Sequence, residues 1–221
     1  MDRTSGAQAT TGPTVAGVVR TAILEGEFAP GQRLIEADLC ERFGTSRFIV
    51  RAALQELAAQ GLVEFQRHRG ARVREISLAE AIEITEIRKL LEGREAARAA
   101  ERISTAEAAL LRGIITDMRA AVSNAELLRY SGLNASLHAA IRDISGSKIS
   151  ARLLRQLRDQ TVRHQFSLSL VPGRPAVSLP QHEAIVAAVT ARDPAAAEAA
   201  MHDHLQGVIE ALRALPVAAL R

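Results

Sequence analysis

The chain has few aromatic residues and almost no cysteine. Phe, Trp and Tyr together make up 3% of the 221 residues, and tryptophan is absent. A hydrophobic core therefore has to be built from Ala, Leu, Ile and Val, a composition that favours helices. The single cysteine, Cys40, excludes an intramolecular disulfide and a cysteine-rich zinc module. Cys40 lies within an apolar helical pattern, so we expect it in the core.

Long apolar runs and a strong charge bias are also missing. No run approaches the roughly 20 residues that span a bilayer. Residues 1–13 lack the apolar stretch of a secretion signal and the arginine-rich pattern of a transit peptide. We expect a disordered tail at 1–13, a cytoplasmic protein and no membrane partner. The formal net charge is only +3, so a nucleic-acid partner has to be argued from where the charges lie.

Residues 14–76 have the element order of a small domain with three helices and a hairpin. Apolar residues recur at helical spacing between glycine-containing turns, and Thr45 or Ser46 can cap the third helix. Two strands flank the basic tip Arg67–Gly70. The order predicts a winged helix-turn-helix. Its predicted elements are a helix from Val15 that ends at Gly26, a strand at 33–35, a helix at 36–43, a helix from Ser46 that ends at Gly61, and strands at 62–65 and 71–74.

The third predicted helix carries side chains that suit DNA recognition. Its outward face lies about a quarter-turn or more from the apolar stripe. Arginines at the start of such a helix donate paired hydrogen bonds to guanine in the major groove, and basic wing residues reach phosphates or the minor groove. Either feature alone also fits a solvated surface, but the two together, in this element order, favour DNA binding. The residues are Arg47, Phe48, Arg51 and Gln55 on the helix and Arg67, His68, Arg69 and Arg72 on the wing.

From Ser77 onward the pattern is helical throughout. Ser77 with Glu80, and Ser104 with Glu107, have the spacing of capping boxes, and Pro194 suits the first position of the last helix. We therefore predict an all-α domain at 77–215, followed by a tail at 216–221. Its predicted helices span 78–102, 105–122, 126–145, 148–169, 179–191 and 194–215.

Histidines in this helical part suggest a metal site. Asn134 and His138 share one side of a helix, and His182 aligns with an apolar stripe and points inward. The spacing alone does not separate His202 from His204, because each flanks the stripe of the last helix. Three imidazoles and one oxygen suit Zn²⁺, with Ni²⁺ or Mn²⁺ as alternatives, and leave a coordination position open. The alternative is that these histidines are packing or surface residues.

Five segments of the N-terminal part carry a family resemblance: APGQRL from Ala29, EADL from Glu36, GTSR from Gly44, VRAAL from Val50 and GLV from Gly61. Together they resemble the GntR family of bacterial regulators. Family members usually have Thr-Pro where this chain has Phe48-Ile49, and some have a DNA-contacting arginine in place of Ala37, so we expect a different operator preference. The resemblance implies base contacts from Arg47 and Arg51 and a wing tip in or near the minor groove. The expected DNA-binding set is Arg33, Ser46, Arg47, Phe48, Arg51, Arg67, His68, Arg69 and Gly70.

Residues 78–212 resemble the FCD ligand-binding domain of the FadR branch of this family, and the six helices suggest its VanR-like subgroup. The family's pattern selects Asn134, His138, His182 and His204 as metal ligands and discards His202. Asn in place of Asp leaves a neutral oxygen ligand. The resemblance further implies that a small organic acid completes the coordination, and Arg88 and Arg163 are candidates to pair with its carboxylate.

Two other function classes fit less well. A metal-dependent hydrolase or lyase would use the same site to activate water, but the sequence contains no HExxH pair, phosphate-binding glycine loop or nucleophile motif. An architectural DNA-binding protein would not need inward histidines on three helices. The sequence therefore predicts a homodimeric, ligand-responsive repressor, not an enzyme, that binds a palindromic operator.

Overall fold

The computed structural model describes residues 14–215, and it divides the chain into two compact units between Glu75 and Ile76. The predicted tails at 1–13 and 216–221 lie outside the described residues. A winged helix-turn-helix unit is followed by a helical unit, which confirms the predicted mainly α fold class.

The N-terminal unit combines three helices with a three-stranded antiparallel sheet. The strand order is β1-β3-β2, so β3 is central and β2 and β3 form the wing hairpin. Each strand lies within one residue of its predicted position. The elements are α1 (Val15–Leu24), β1 (Arg33–Leu34), α2 (Glu36–Phe43), α3 (Arg47–Ala59), β2 (Val63–Gln66) and β3 (Gly70–Val73).

Local signals in the sequence explain the turn between α2 and α3. Gly44 ends α2 in the left-handed conformation, at φ 59°, which glycine adopts without steric cost. Ser46 then caps α3, because its side chain accepts a hydrogen bond from the backbone N–H of Ile49. Cys40 is only half-buried and packs against the edge of the core, so the expectation that it belongs to the core holds in part.

The helical unit consists of six helices around one large apolar core. Ser104 and Glu107 form the expected capping box at the start of α5, and Ser77 caps α4 by accepting a hydrogen bond from the backbone N–H of Glu80. Most of the core is aliphatic, as the composition requires. The helices are α4 (Leu78–Arg102), α5 (Thr105–Ser123), α6 (Leu127–Ser145), α7 (Lys148–Ser169), α8 (Arg174–Thr190) and α9 (Pro194–Arg213).

The predicted start of α8 at residue 179 was wrong, because the helix begins at Arg174. Pro175 lies in the first turn, where the missing N–H of proline breaks no helical hydrogen bond. Pro180 lies inside the helix and is exposed to solvent. Residues 171–173 form the turn between α7 and α8, and Arg174 and Pro175 are the first two residues of the helix.

Candidate DNA interface and buried histidine cavity

Helix α3 presents its polar face to solvent on the side opposite the core. Val50, Leu54 and Leu57 are almost fully buried. At about 100° per residue, Phe48 and Arg51 lie on the outward side, and both are exposed. Arg47, Ser46 and Gln55 are exposed as well. The first two turns of α3 therefore offer an arginine-rich surface to a partner.

Arg51 is held in place by a partner that the sequence analysis missed. Its Nε and Nη2 donate hydrogen bonds of 3.0 and 2.9 Å to the two carboxylate oxygens of Glu36, the first residue of α2. The hydrogen bond from Arg51 lowers the pKa of the Glu36 carboxyl. The Arg51 side chain nevertheless remains 62% exposed. The fork links α2 to α3 and orients the guanidinium group while leaving it accessible.

The predicted wing residues lie at the tip of the β2–β3 hairpin. Arg67, His68, Arg69 and Gly70 are all exposed, and the turn places His68 and Gly70 at positive φ, 61° and 78°. The other two predicted basic residues occupy the sheet: Arg33 is exposed on β1, and Arg72 is paired with Glu64 across the hairpin at 2.5 Å. The tip, rather than the sheet, carries the exposed basic groups of the hairpin.

Three buried histidines from three helices meet inside the helical unit. His138 comes from α6, His182 from α8 and His204 from α9, and one ring nitrogen from each lies within 4.8 Å of the others. His202, which the spacing could not separate from His204, lies apart from this cluster and next to Gly93 of α4. The fold thus brings together the three imidazoles on which the metal prediction rests.

Hydrogen bonds to the Nδ1 atoms leave the Nε2 atoms of the three rings for a ligand. His138 Nδ1 lies 2.6 Å from Glu92 Oε2, and His204 Nδ1 lies 3.2 Å from Gln181 Oε1. Tyr130 Oη lies 3.1 Å from His182 Nδ1. Burial holds the pKa of His138 below its ordinary value and the pKa values of His182 and His204 well below it. The rings are therefore neutral at pH 7, the form in which imidazole binds metals.

Two buried polar atoms in the cluster lack a hydrogen-bond partner. They are Nε2 of His182 and Oδ1 of Asn134, and both residues line the same cavity as His138 and His204. Buried polar atoms are rarely left unsatisfied. Imidazole nitrogens and an amide oxygen are suitable donors for a divalent metal ion, so the residues at this site fit such an ion.

A buried carboxylate, Glu92 of α4, organises the charges next to the histidines. It accepts hydrogen bonds of 2.8 Å from Arg88 and 2.6 Å from His138, and Arg158 Nη1 lies 3.6 Å away. Burial alone would raise the pKa of Glu92, but Arg88, His138 and Arg158 hold it well below the ordinary value. Glu92 is therefore ionised and fixes the orientation of the His138 ring.

Arginines line the cavity of about 60 Å³ that adjoins the cluster. Arg88 was expected to pair with a ligand, but its guanidinium group is already bonded to Glu92. Arg163 is not among the lining residues of the described chain, because it lies about 140° around α7 from Arg158. Arg158 and Arg174, which the sequence pattern did not indicate, line the cavity, and each carries a buried guanidinium nitrogen without a hydrogen-bond partner.

Known proteins resemble both units. The family model "Bacterial regulatory proteins, gntR family" matches residues 12–73, and the FCD domain model matches residues 83–207. The transcriptional repressor RspR of Escherichia coli is 30% identical over 196 residues, which cover 89% of this chain and 86% of RspR. The transcriptional regulator LutR of Bacillus subtilis is 30% identical over 211 residues, which cover 86% of this chain and 95% of LutR.

A solved structure shares the fold. E. coli McbR/YncC superposes with a TM-score of 0.74 at 22% identity, over 90% of this chain and 95% of that one. Within residues 14–215, no helix has the length and apolar character needed to cross a membrane. The matched models span both units, and RspR and LutR are matched over most of their length. The chain therefore belongs to the GntR family of bacterial regulatory proteins and carries an FCD domain.

Proposed function

We propose that this regulator is a repressor that binds operator DNA through α3 and the wing and releases it when a small organic acid binds in the FCD domain. The cavity supports the sensing role, because three neutral imidazoles, an unpartnered amide oxygen and two incompletely bonded guanidinium groups face one buried space. RspR is named a repressor, which supports the direction of control. The six FCD helices, α4 to α9, support assignment to the VanR-like subgroup of the FadR branch.

The proposed DNA-binding form is a homodimer on a palindromic operator. The two-fold symmetry of a dimer presents two copies of α3 to two half-sites. Residues 74–77 join the wing to α4, which carries Arg88 and Glu92. Because this connection is only four residues long, a change in the packing of α4 on ligand binding can be transmitted along the chain to the DNA-binding unit. A coupling free energy of about 1–3 kcal/mol between the two sites is typical of such regulation.

We propose that Asn134, His138, His182 and His204 hold a divalent metal ion, Zn²⁺ or alternatively Ni²⁺ or Mn²⁺. The unsatisfied Oδ1 of Asn134 and Nε2 of His182 support this assignment. Such an ion supplies positive charge and open coordination positions for an acid. Because Asn134 contributes no charge, the site depends on the ligand and on Glu92 for negative charge.

The charge of the cavity favours an acid with two carboxylates. Three guanidinium groups, from Arg88, Arg158 and Arg174, surround the site, whereas Glu92 is the carboxylate bonded among them. Burial lowers the pKa of Arg158 to about 10, a value at which the group is still charged at pH 7. The histidines are neutral, so the three guanidinium groups exceed Glu92 by two positive charges, to which a bound divalent ion adds two more. A buried, uncompensated charge is costly, and a dicarboxylate offsets two of these charges, whereas a monocarboxylate offsets one.

The metal proposal is tested by measuring bound metal. Purified wild-type protein is stripped with chelator, dialysed against Zn²⁺ and analysed by mass spectrometry, next to His182→Ala and His202→Ala. We expect about one ion per wild-type chain, the same for His202→Ala, whose ring lies outside the cluster, and a loss of bound ion in His182→Ala. Equal metal content in all three proteins would contradict the assignment.

The ligand proposal is tested by a thermal-shift screen of organic acids with the metal-loaded protein. Dicarboxylates should raise Tm more than monocarboxylates of the same length, since a ligand that binds only the folded state stabilises it. Arg174→Gln should remove the stabilisation, whereas Arg155→Gln, which alters an exposed arginine of α7, should retain it. If no acid shifts Tm, or if Arg174→Gln responds like wild type, this part of the proposal is wrong.

A further inference from the structure

Phe48 is an aromatic residue that is exposed to solvent at the start of α3. It is the second residue of α3 and is 83% exposed, more than any other large apolar residue in the described part of the chain. A single exposed apolar residue needs no explanation in general. This one, however, lies between Arg47 and the braced Arg51 on the surface that the proposed function assigns to DNA.

The ring lies at the centre of the outward face of α3. At about 100° per residue, the buried stripe of α3 is centred about 190° from Phe48, which places the ring almost opposite the core. Arg51 lies about 60° to one side and Ala52 about 40° to the other. Ala52 is exposed and small, so it leaves room beside the ring for a flat surface to approach.

The start of α3 also has a fixed conformation. Ser46 caps the helix, and the fork between Arg51 and Glu36 ties the next turn to α2. The backbone at Phe48 therefore loses little conformational freedom when the ring binds a partner. The ring is already held in the position in which it would make that contact.

An aromatic side chain has one apolar partner on the base edges of the major groove. Phenylalanine donates and accepts no conventional hydrogen bonds, so phosphates and the polar edges of guanine, cytosine and adenine offer it no specific interaction. The 5-methyl group of thymine is the apolar group displayed there, and apolar side chains recognise it by contact. Insertion of the ring between bases is a minor-groove mode, which a helix lying in the major groove does not use.

We propose that Phe48 packs on the 5-methyl group of a thymine in each operator half-site and so makes that thymine part of the recognised sequence. This inference rests on the proposed function, because it requires α3 to read operator DNA. Phe48 and Arg51 are three residues apart, about 4.5 Å along the helix axis. Successive bases of one strand are about 3.4 Å apart, so the thymine lies within two base pairs of the base that Arg51 contacts.

The experiment begins with selection of binding sites. Full-length wild-type protein is used to enrich duplexes from a random library, and the Kd of the enriched duplex is measured by fluorescence anisotropy. Each thymine is then replaced in turn by deoxyuridine, which removes only the methyl group. The same duplexes are measured with Phe48→Ala, with Phe48→Leu and with Phe166→Ala, a control that removes an exposed phenylalanine of α7.

We expect one thymine per half-site at which deoxyuridine weakens wild-type binding about fourfold, the factor that burial of one methyl group predicts. Phe48→Ala should bind the thymine and deoxyuridine duplexes equally at that position. Phe48→Leu, which keeps an apolar side chain, should retain part of the discrimination, and Phe166→Ala should retain all of it. Because Phe48 is exposed, both Phe48 variants should unfold at the wild-type Tm.

Two results would overturn the inference while leaving the proposed function intact. One is an enriched operator in which no thymine is sensitive to loss of its methyl group. The other is a sensitive thymine to which wild type and Phe48→Ala respond equally, since the methyl group would then contact another residue. If wild-type protein enriches no sequence at all, the proposed sequence-specific DNA binding is wrong, and the inference about Phe48 is wrong with it.

Discussion

Replacing Glu92 by Gln tests the buried charge network. Glu92 and Arg88 have side chains 5% and 4% exposed, and the carboxylate also bonds to His138 and lies near Arg158. Gln keeps the size of the side chain but removes the negative charge, which leaves two buried guanidinium groups without their shared counter-ion. Breaking one partner of a buried ion pair costs about 3–5 kcal/mol, because the remaining charge stays buried.

The cost should be visible in the unfolding of the metal-free protein. For a domain of this size, about 1 kcal/mol corresponds to roughly 2–4 °C in Tm, so Glu92→Gln should lower the Tm of the helical domain by about 6–20 °C. Circular dichroism at 222 nm and urea denaturation would measure the loss. Chelator is included so that loss of a bound metal does not add to the effect.

Glu86 provides a matched control on the same helix. It pairs with Arg213 at 3.3 Å, but the two side chains are 50% and 56% exposed. Exposed ion pairs contribute less than about 1 kcal/mol, so Glu86→Gln should leave Tm nearly unchanged. If Glu92→Gln were as stable as Glu86→Gln, the reasoning about the buried network would be refuted.

Two further predictions concern the two units separately. Arg51→Ala should reduce operator affinity to the level measured for unrelated DNA while Tm falls only slightly, because the pair with Glu36 is largely exposed and contributes less than about 1 kcal/mol; an unchanged footprint would contradict the role of α3. Gly93→Ala should destabilise the helical unit by about 1–3 kcal/mol, because an added Cβ would overlap the His202 ring. Gly132→Ala, where a Cβ meets open space in α6, should instead stabilise by about 0.5–1 kcal/mol; urea denaturation that ranks the two glycine variants the other way would contradict this.

Much of the fold follows from local signals in the sequence. Apolar spacing, glycine turns and capping residues predict α2, α3 and the hairpin, because each of these signals acts within a few residues of the chain. The sequence did not predict the start of α8, because a proline in the first turn of a helix and a proline in a loop have the same local sequence pattern. Only the packing of α8 on its neighbours distinguishes them.

Local spacing in the sequence also predicted part of the histidine site. The i, i+4 spacing places Asn134 and His138 on one side of α6, whereas His202 and His204 are equivalent by periodicity. In the structure, the His202 ring lies against Gly93 of α4, where the absence of a Cβ leaves space for it. Gly93 is 109 positions before His202 in the sequence, so local spacing could not predict this contact.

The cationic residues were harder to identify. The chain contains 28 Lys and Arg residues, and nothing local distinguishes Arg158 or Arg174 from an exposed arginine such as Arg155. Which guanidinium groups are buried depends on how α7 and α8 pack around the cavity. The same holds for Glu92 and Glu36, whose charged partners were not predictable from local pattern.

The central claim is that acid binding in the FCD cavity changes operator affinity. The most direct test is fluorescence anisotropy of the enriched operator with metal-loaded protein, titrated with the dicarboxylate that gives the largest thermal shift. We expect the acid to weaken operator binding by about 5- to 150-fold, the range that corresponds to a coupling of about 1–3 kcal/mol, and Arg174→Gln to abolish the effect. If an acid binds the protein and leaves operator affinity unchanged, the two sites are not coupled and the proposed sensing role is wrong.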